Sequence, residues 1–427
     1  MSSIGWIDFS SEHRERLRTV LDLLSAPGVL DELGIGPVRD AFADRMFPGI
    51  STIQTRAKYF TLTALLVEKF IALKRSGGTS RTLESYLADE EKQCRIRLVT
   101  AAHGLEIKET GIIGGSFGTD PRRDVMRRPS SVYWNGLRLF GFIQPRELSL
   151  AEFSRRCVDD RRTLRTLLQE SGTERGDDHD AEDINSRPRV YAPEIPPDQN
   201  YWQTLSIDLL PAEAEFLRMR MGASQSESLL GQILSSDANM AEVCALKRST
   251  FDDFSALPFI GRLKNEYLRR TVQHARDFWL IMEGAHIRYN CLLQARLGTK
   301  ESHAECNELW VNWRRRIAPF PSQWDTSFMW SLVASMRTSV KKPTHDFIEA
   351  WIAETCKGAS DLKHCDALVT NQERYNKGAR ARLRNNNTET IGSAWIGVQE
   401  LDYRQRQVCR LVRDIRDGLR ATGGRRA

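Results

Sequence analysis

At 427 residues and 41% hydrophobic composition, the chain supplies apolar surface for two or three domain cores, which excludes a disordered protein. The net charge of +6 is unevenly spread: residues 371–427 carry 13 Lys+Arg against 6 Asp+Glu, so attraction for polyanions is expected from that segment rather than from the chain as a whole. The most apolar stretch, Ile53 to Leu73, is interrupted by Arg56, Lys58, Glu68 and Lys69, which excludes a membrane span.

The opening MSSIGWIDFSSEHRERLRTV lacks the basic-then-apolar order of an export signal. Eight cysteines, at 94, 157, 244, 291, 306, 356, 365 and 409, are scattered without a CxxC pair. A reducing cytoplasm is therefore the expected location, with no membrane partner.

In chain order, Gly5 to Phe9 reads as a short strand, and Ser10 or Ser11 caps a helix through His13 to Leu24. Pro37 opens a helix over VRDAFADRM. The next segment, FPGISTIQTRAKYFTLTALLVEKF, runs from Phe47 to Phe70 and is predicted helical after the Pro48-Gly49 turn, with Ser51 or Thr52 as cap. On a 3.6-residue wheel Thr52, Thr55, Arg56, Tyr59 and Thr63 share one side, and from Phe60 onward apolar residues fill the remaining faces. This predicts a central core helix with a polar front. A helix amino terminus beside Arg56 suits a phosphate or carboxylate, while the structural alternative pairs Arg56 with Asp40 or Asp44.

Leu105 to Ile113 and Phe142 to Ile143 read as short strands. GGSFG, Gly114 to Gly118, matches G-x-S-x-G, but the Thr119-Asp120-Pro121 that follows suits a turn instead of the helix a nucleophile elbow needs. With Arg122 and Arg123 beside it, the loop is better read as a phosphate cradle or simply as a loop. Glu106-Ile107-Lys108 imitates the E-x-K of metal-dependent nucleases without the strand-borne aspartate that should precede it. RRDVMRRPSSVYWNGLRLFGFI gives a charged loop, a helix capped by Ser130, a Gly141 stop and a short strand, an order open to a winged helix. Arg127 and Arg128 then reach phosphates, and Ser130, Ser131, Tyr133, Asn135 or Arg138 face a groove. The alternative packs Tyr133, Trp134, Leu137 and Leu139 into the domain.

Residues 170–200 hold 9 acidic and 3 basic side chains with several prolines and read as a linker or long loop, beside a segment, Pro121 to Leu168, with 11 basic and 5 acidic residues. Pro211 opens AEAEFLRMRM, and a long helix from Asn265 to Leu297 stops at Gly298. In LWVNWRRRIAPF, Trp310 and Trp313 share a helical face, suited to core packing or to stacked bases, with Arg314 to Arg316 at the carboxyl end. His303 with Cys306, and Cys356 with His364 and Cys365, fall short of a zinc set. NQERYNKGARARLRNNN places Arg374, Lys377, Arg380, Arg382 and Arg384 in a polyanion-binding segment. Beyond it, Leu401, Val408, Leu411, Val412, Ile415 and Leu419 recur at helical spacing and predict a helix docked on the body.

The expected fold is mainly α: multi-helix bundle-like domains with a small β element, a winged-helix portion being open to the N-terminal half. The expected divisions are a helical domain over 1–169, the acidic linker 170–200, a helical domain over 201–370, and a basic segment with docking helix over 371–427.

GWIDFS, LGIGPVRDAFADRMFPGISTIQTRAKYF, GIIGG and RRPSSVYWNGLRLFGF resemble, across most of the chain, an uncharacterised bacterial family, domain of unknown function 6361. The resemblance implies no activity and no catalytic residue. It does imply a setting, because members are similar to proteins found beside helicases, methyltransferases and phospholipase-D-like nucleases in mobile or phage-defence loci. The leading expectation is a nucleic-acid-associated accessory protein of a bacterial multi-protein system, binding the phosphate backbone, most simply of DNA. Its candidate contacts are Arg56, Arg122, Arg123, Arg127, Arg128, Arg138, Arg374, Lys377, Arg380, Arg382 and Arg384. A protein–protein scaffold meeting an acidic partner is the competing class. A nuclease or hydrolase using Glu106, Lys108 or Ser116 is a third; no catalytic residue, metal or cofactor is assigned.

Overall fold

The computed structural model describes residues 31–157, 188–196, 200–297, 300–384 and 400–421. The expected elements before residue 31, most of the acidic segment and the Gly298 stop lie outside them. Helices dominate the fold, and the described strands, Ile143–Gln144 and Arg189–Val190, form one antiparallel pair with Ile143 opposite Val190. The chain divides into two compact units, Met1–Phe42 with Thr271–Tyr403, and Ala43–Arg270 with Arg404–Ala427.

The second unit is built around the helix Lys58–Ser76, whose residues from Lys58 through Val67 are all buried, as is Phe70. A left-handed Gly77, at φ +81°, ends it. The helix Pro129–Leu139 crosses it closely, with the Phe60 and Tyr133 rings edge to face at 4.7 Å. Closeness requires Gly136: a Cβ there would lie 2.6 Å from the Gly49 carbonyl and 2.7 Å from the Phe60 ring. Trp134 and Leu137 are buried with Tyr133, so this helix packs as a core element. The helix Gln405–Arg420 turns Val408, Leu411, Val412 and Ile415 inward and lays Gly418 against Leu209 and Ala214, ahead of and within the helix Pro211–Ser224. This is the docking helix that its spacing predicts.

Three local expectations are corrected. The central helix begins at Lys58, not near Ser51, because backbone N–H groups ahead of it have tertiary partners: Thr55 and Arg56 donate to the Tyr133 hydroxyl and Ala57 donates to Asp414. Leu105 to Ile113 is no strand; Ile107–Thr110 is one helical turn closed by Gly111 at φ +72°. Ser130 does not cap its helix, since Pro129 occupies the first turn and Arg128 the cap position, while the Ser130 N–H donates to Glu91 of the helix Leu83–Ala101. The strand that follows pairs with Arg189–Val190, distant in the chain, so no hairpin wing forms there among the described residues.

In the first unit, the helix Glu266–Leu297, from Thr271 onward, packs with Lys300–Ile317 and Lys342–Cys356. The buried Trp313 and Trp351 indoles donate to the Leu280 and Ile281 carbonyls at 2.7 and 2.8 Å. Such bonds leave a helix's hydrogen-bonding ladder intact while satisfying the only polar atom of each ring. Trp310 stacks on Trp313 at 4.7 Å and is itself buried, so neither face of the pair is an open platform.

Candidate nucleic-acid interface

Arg56, the residue at the polar front of the central helix, is fully engaged. Its Nε lies 3.0 and 2.9 Å from the two Asp414 oxygens, its Nη1 donates to the Thr110 carbonyl at 2.8 Å, and its Nη2 to Asp208 at 2.8 Å. The partners differ from those expected: Asp40 pairs with Arg39, and Asp44 with Arg404. Burial pulls the Arg56 pKa down, but the Asp414 and Asp208 carboxylates outweigh it and hold the group above its ordinary value. Burial pushes the Asp414 pKa up, and Arg56 opposes that shift without cancelling it.

Two residues further on, Lys58 and Glu213 form an ion pair at 2.6 Å, with side chains 1% and 0% exposed. Ions so deeply buried need their remaining lone pairs filled. Glu213 accordingly accepts also from the Thr61 hydroxyl at 2.7 Å, the Tyr201 hydroxyl at 2.8 Å and the Leu210 N–H at 2.8 Å. Burial lowers the Lys58 pKa, with Glu213 acting in the opposite sense. The polar front is therefore a lattice of ion pairs that ties three helices together, and its chemistry is spent internally.

The glycine loop behaves in the reverse sense from a phosphate cradle. The buried Arg95 guanidinium donates to the carbonyls of Gly118, Asp120 and Arg123 at 2.6, 2.7 and 3.1 Å, while the N–H groups of Gly115, Phe117 and Gly118 donate within the loop itself. Carbonyls gathered inward on a cation turn the adjoining side chains outward. Arg122, 89% exposed, pairs with Asp120 at 3.2 Å, and Arg128 with Asp124 at 3.0 Å; Arg123 is exposed and Arg127 half-buried. Arg138 donates to the Arg146 carbonyl. Ser116 is exposed on a single 3-10 turn, and Glu106 precedes and Lys108 lies within a one-turn helix, not a strand.

The five basic residues expected from 374 to 384 belong to the other unit. Lys377 and Arg382 turn toward the buried Glu32, at 3.2 and 4.0 Å, and the backbone N–H groups of Arg382 and Leu383 donate to the buried Glu373. Arg374, Arg380 and Arg384 are exposed.

One group escaped the sequence reading. On the helix Gln405–Arg420, Arg406, Arg410, Arg413 and Arg420 all lie on the exposed side. The same spacing that marks the apolar face marks this one, so the signal was present in RQRQVCRLVRDIRDGLR. Among the described residues no group of three or more His, Cys, Asp and Glu side chains is placed to hold a metal, and no helix is long and apolar enough to cross a membrane.

Fold and site together define a mainly helical protein with a buried ion-pair lattice and exposed arginines on the unit that contains it. The chain belongs to the family of unknown function DUF6361, whose model matches residues 1–418. No curated protein and no solved structure matches it.

Proposed function

We propose that this protein is a nucleic-acid-associated accessory subunit of a multi-protein system, holding a phosphate backbone through exposed arginines. The observation that carries the reading is the loop around Arg95: its carbonyls are fixed inward, so Arg122 and Arg123 stand on a rigid base at the surface. Preorganised cations lose little freedom on meeting an anion, which favours phosphate contact.

Retention on immobilised mixed-sequence DNA, measured against salt, tests the reading. Each phosphate neutralised contributes a slope of about −0.9 in log affinity against log salt. Affinity that does not move between low and moderate salt removes the proposal, and leaves the protein–protein scaffold as the better account.

A further inference from the structure

Most arginines of the second unit with a buried or half-buried head have a partner: Arg56, Arg95, Arg128 and Arg404 are each bonded to a carboxylate or carbonyl. The helix Gln405–Arg420 differs on its outer side. Arg406, Arg410, Arg413 and Arg420 are exposed, and none of the four makes an ion pair or hydrogen bond among the described residues. At 1.5 Å per residue, their spacing of four, three and seven positions draws a line of about 21 Å, roughly six base-pair steps of a nucleic-acid strand. Asp417 is the one acidic residue on that line, and the other acid of the helix, Asp414, is buried on Arg56.

We infer that Arg406, Arg410, Arg413 and Arg420 form a docking line for the phosphate backbone of double-stranded DNA. The inference rests on the nucleic-acid reading above and names its principal contact and substrate class. Three observations support it. The line is rigid, because the opposite side of the helix is buried through Val408, Leu411, Val412 and Ile415, and Gly418 allows contact so close that a Cβ would sit 2.8 Å from Ala214. It is continuous with the segment that leads into the arginine loop: a Cβ on Gly111 would lie 3.2 Å from Arg410 Nη1. It also carries no aromatic side chain, whereas surfaces for single strands stack bases on aromatic rings. A row of guanidinium groups can be held by phosphate oxygens alone, with no base contact required.

Fluorescence anisotropy of the full chain with a labelled 20-base-pair mixed-sequence duplex, and with one of its strands, provides the test. Replacing the four arginines by glutamine (Arg406→Gln, Arg410→Gln, Arg413→Gln and Arg420→Gln together) is expected to make the salt slope shallower by about 3.6, so that a fourfold rise in salt costs ~150-fold less affinity than in the parent. The corresponding fourfold lysine variant keeps the charge and keeps most of the slope. Far-UV melting curves that match the parent show that all three proteins fold alike. A parent that binds duplex while the glutamine variant keeps its slope overturns the docking line and leaves the nucleic-acid reading standing. Tighter binding of the single strand, or displacement of the duplex by an equal charge of polyglutamate, overturns the duplex assignment. A parent that binds neither form of DNA overturns both proposals.

Discussion

Asp414→Ala removes three contacts at once: two to Arg56 Nε, at 3.0 and 2.9 Å, and one from the Ala57 N–H at 2.9 Å. Taking one partner from a buried ion pair costs about 3–5 kcal/mol, because the survivor is left in a poor solvent. Arg56 is only partly stranded, since Asp208 and the Thr110 carbonyl still accept from it, which places this component at the low end of that range. The lost backbone acceptor ahead of the central helix adds about 1 kcal/mol, as for a helix cap. A total of about 3–4 kcal/mol is expected in urea unfolding, together with faster amide exchange over residues 57–61. The double variant Arg56→Leu/Asp414→Leu leaves no unpaired charge and is expected to be less destabilised than the two single changes summed, by about 2–3 kcal/mol. Additive single changes, or a loss below about 1 kcal/mol for Asp414→Ala, would show that the lattice does not organise the helix start.

Glu213→Gln leaves Lys58 charged with its best partner gone; a loss of about 3 kcal/mol is expected, and Lys58→Met in the same chain should recover much of it in the same urea assay. Gly136→Ala drives a methyl into the Gly49 carbonyl and the Phe60 ring, and overpacking of this kind costs about 1–3 kcal/mol; an unchanged melting temperature would count against the close helix crossing. Burial pushes Glu91 up to about 7, against the Ser130 hydrogen bonds that lower it. Its folded form therefore holds a proton that the unfolded chain releases near 4.5, so its contribution to stability declines as pH rises from 4.5 through 7, by ~3 kcal/mol in all. Glu91→Gln should flatten that part of the pH–stability curve, and identical curves for parent and variant would refute the assignment.

How much was legible depended on the range of the forces involved. The docking helix could be read because its apolar face is written in consecutive residues, from Val408 to Ile415. The core character of the stretch after Phe60, and the turn at Pro48-Gly49, could be read for the same reason. The start of the central helix could not. Its backbone donors are satisfied by Tyr133 and Asp414, the second of them 357 positions from Ala57, and nothing in ISTIQTRAKYF encodes those acceptors. Ser130 misled in the same way: it has the composition of a cap, yet Glu91 on another helix takes its N–H.

The two fates of arginine in the second unit follow from one rule. A guanidinium whose helix or turn faces inward must find acceptors for its five donors, and Arg56 and Arg95 find them in carboxylates or gathered carbonyls. Those acceptors are then consumed in holding the chain, so a buried arginine argues for architecture even where its sequence context suggests a ligand. An arginine opposite an apolar face has no such demand, and its charge remains available to a partner. Residue type and apolar periodicity leave Arg56 and Arg410 alike, since each stands on the polar side of its stretch; what separates them is whether the fold brings acceptors to the guanidinium. Applied to the C-terminal helix, that criterion shifts the search for phosphate contacts from the polar front of the central helix to the line of Arg406, Arg410, Arg413 and Arg420.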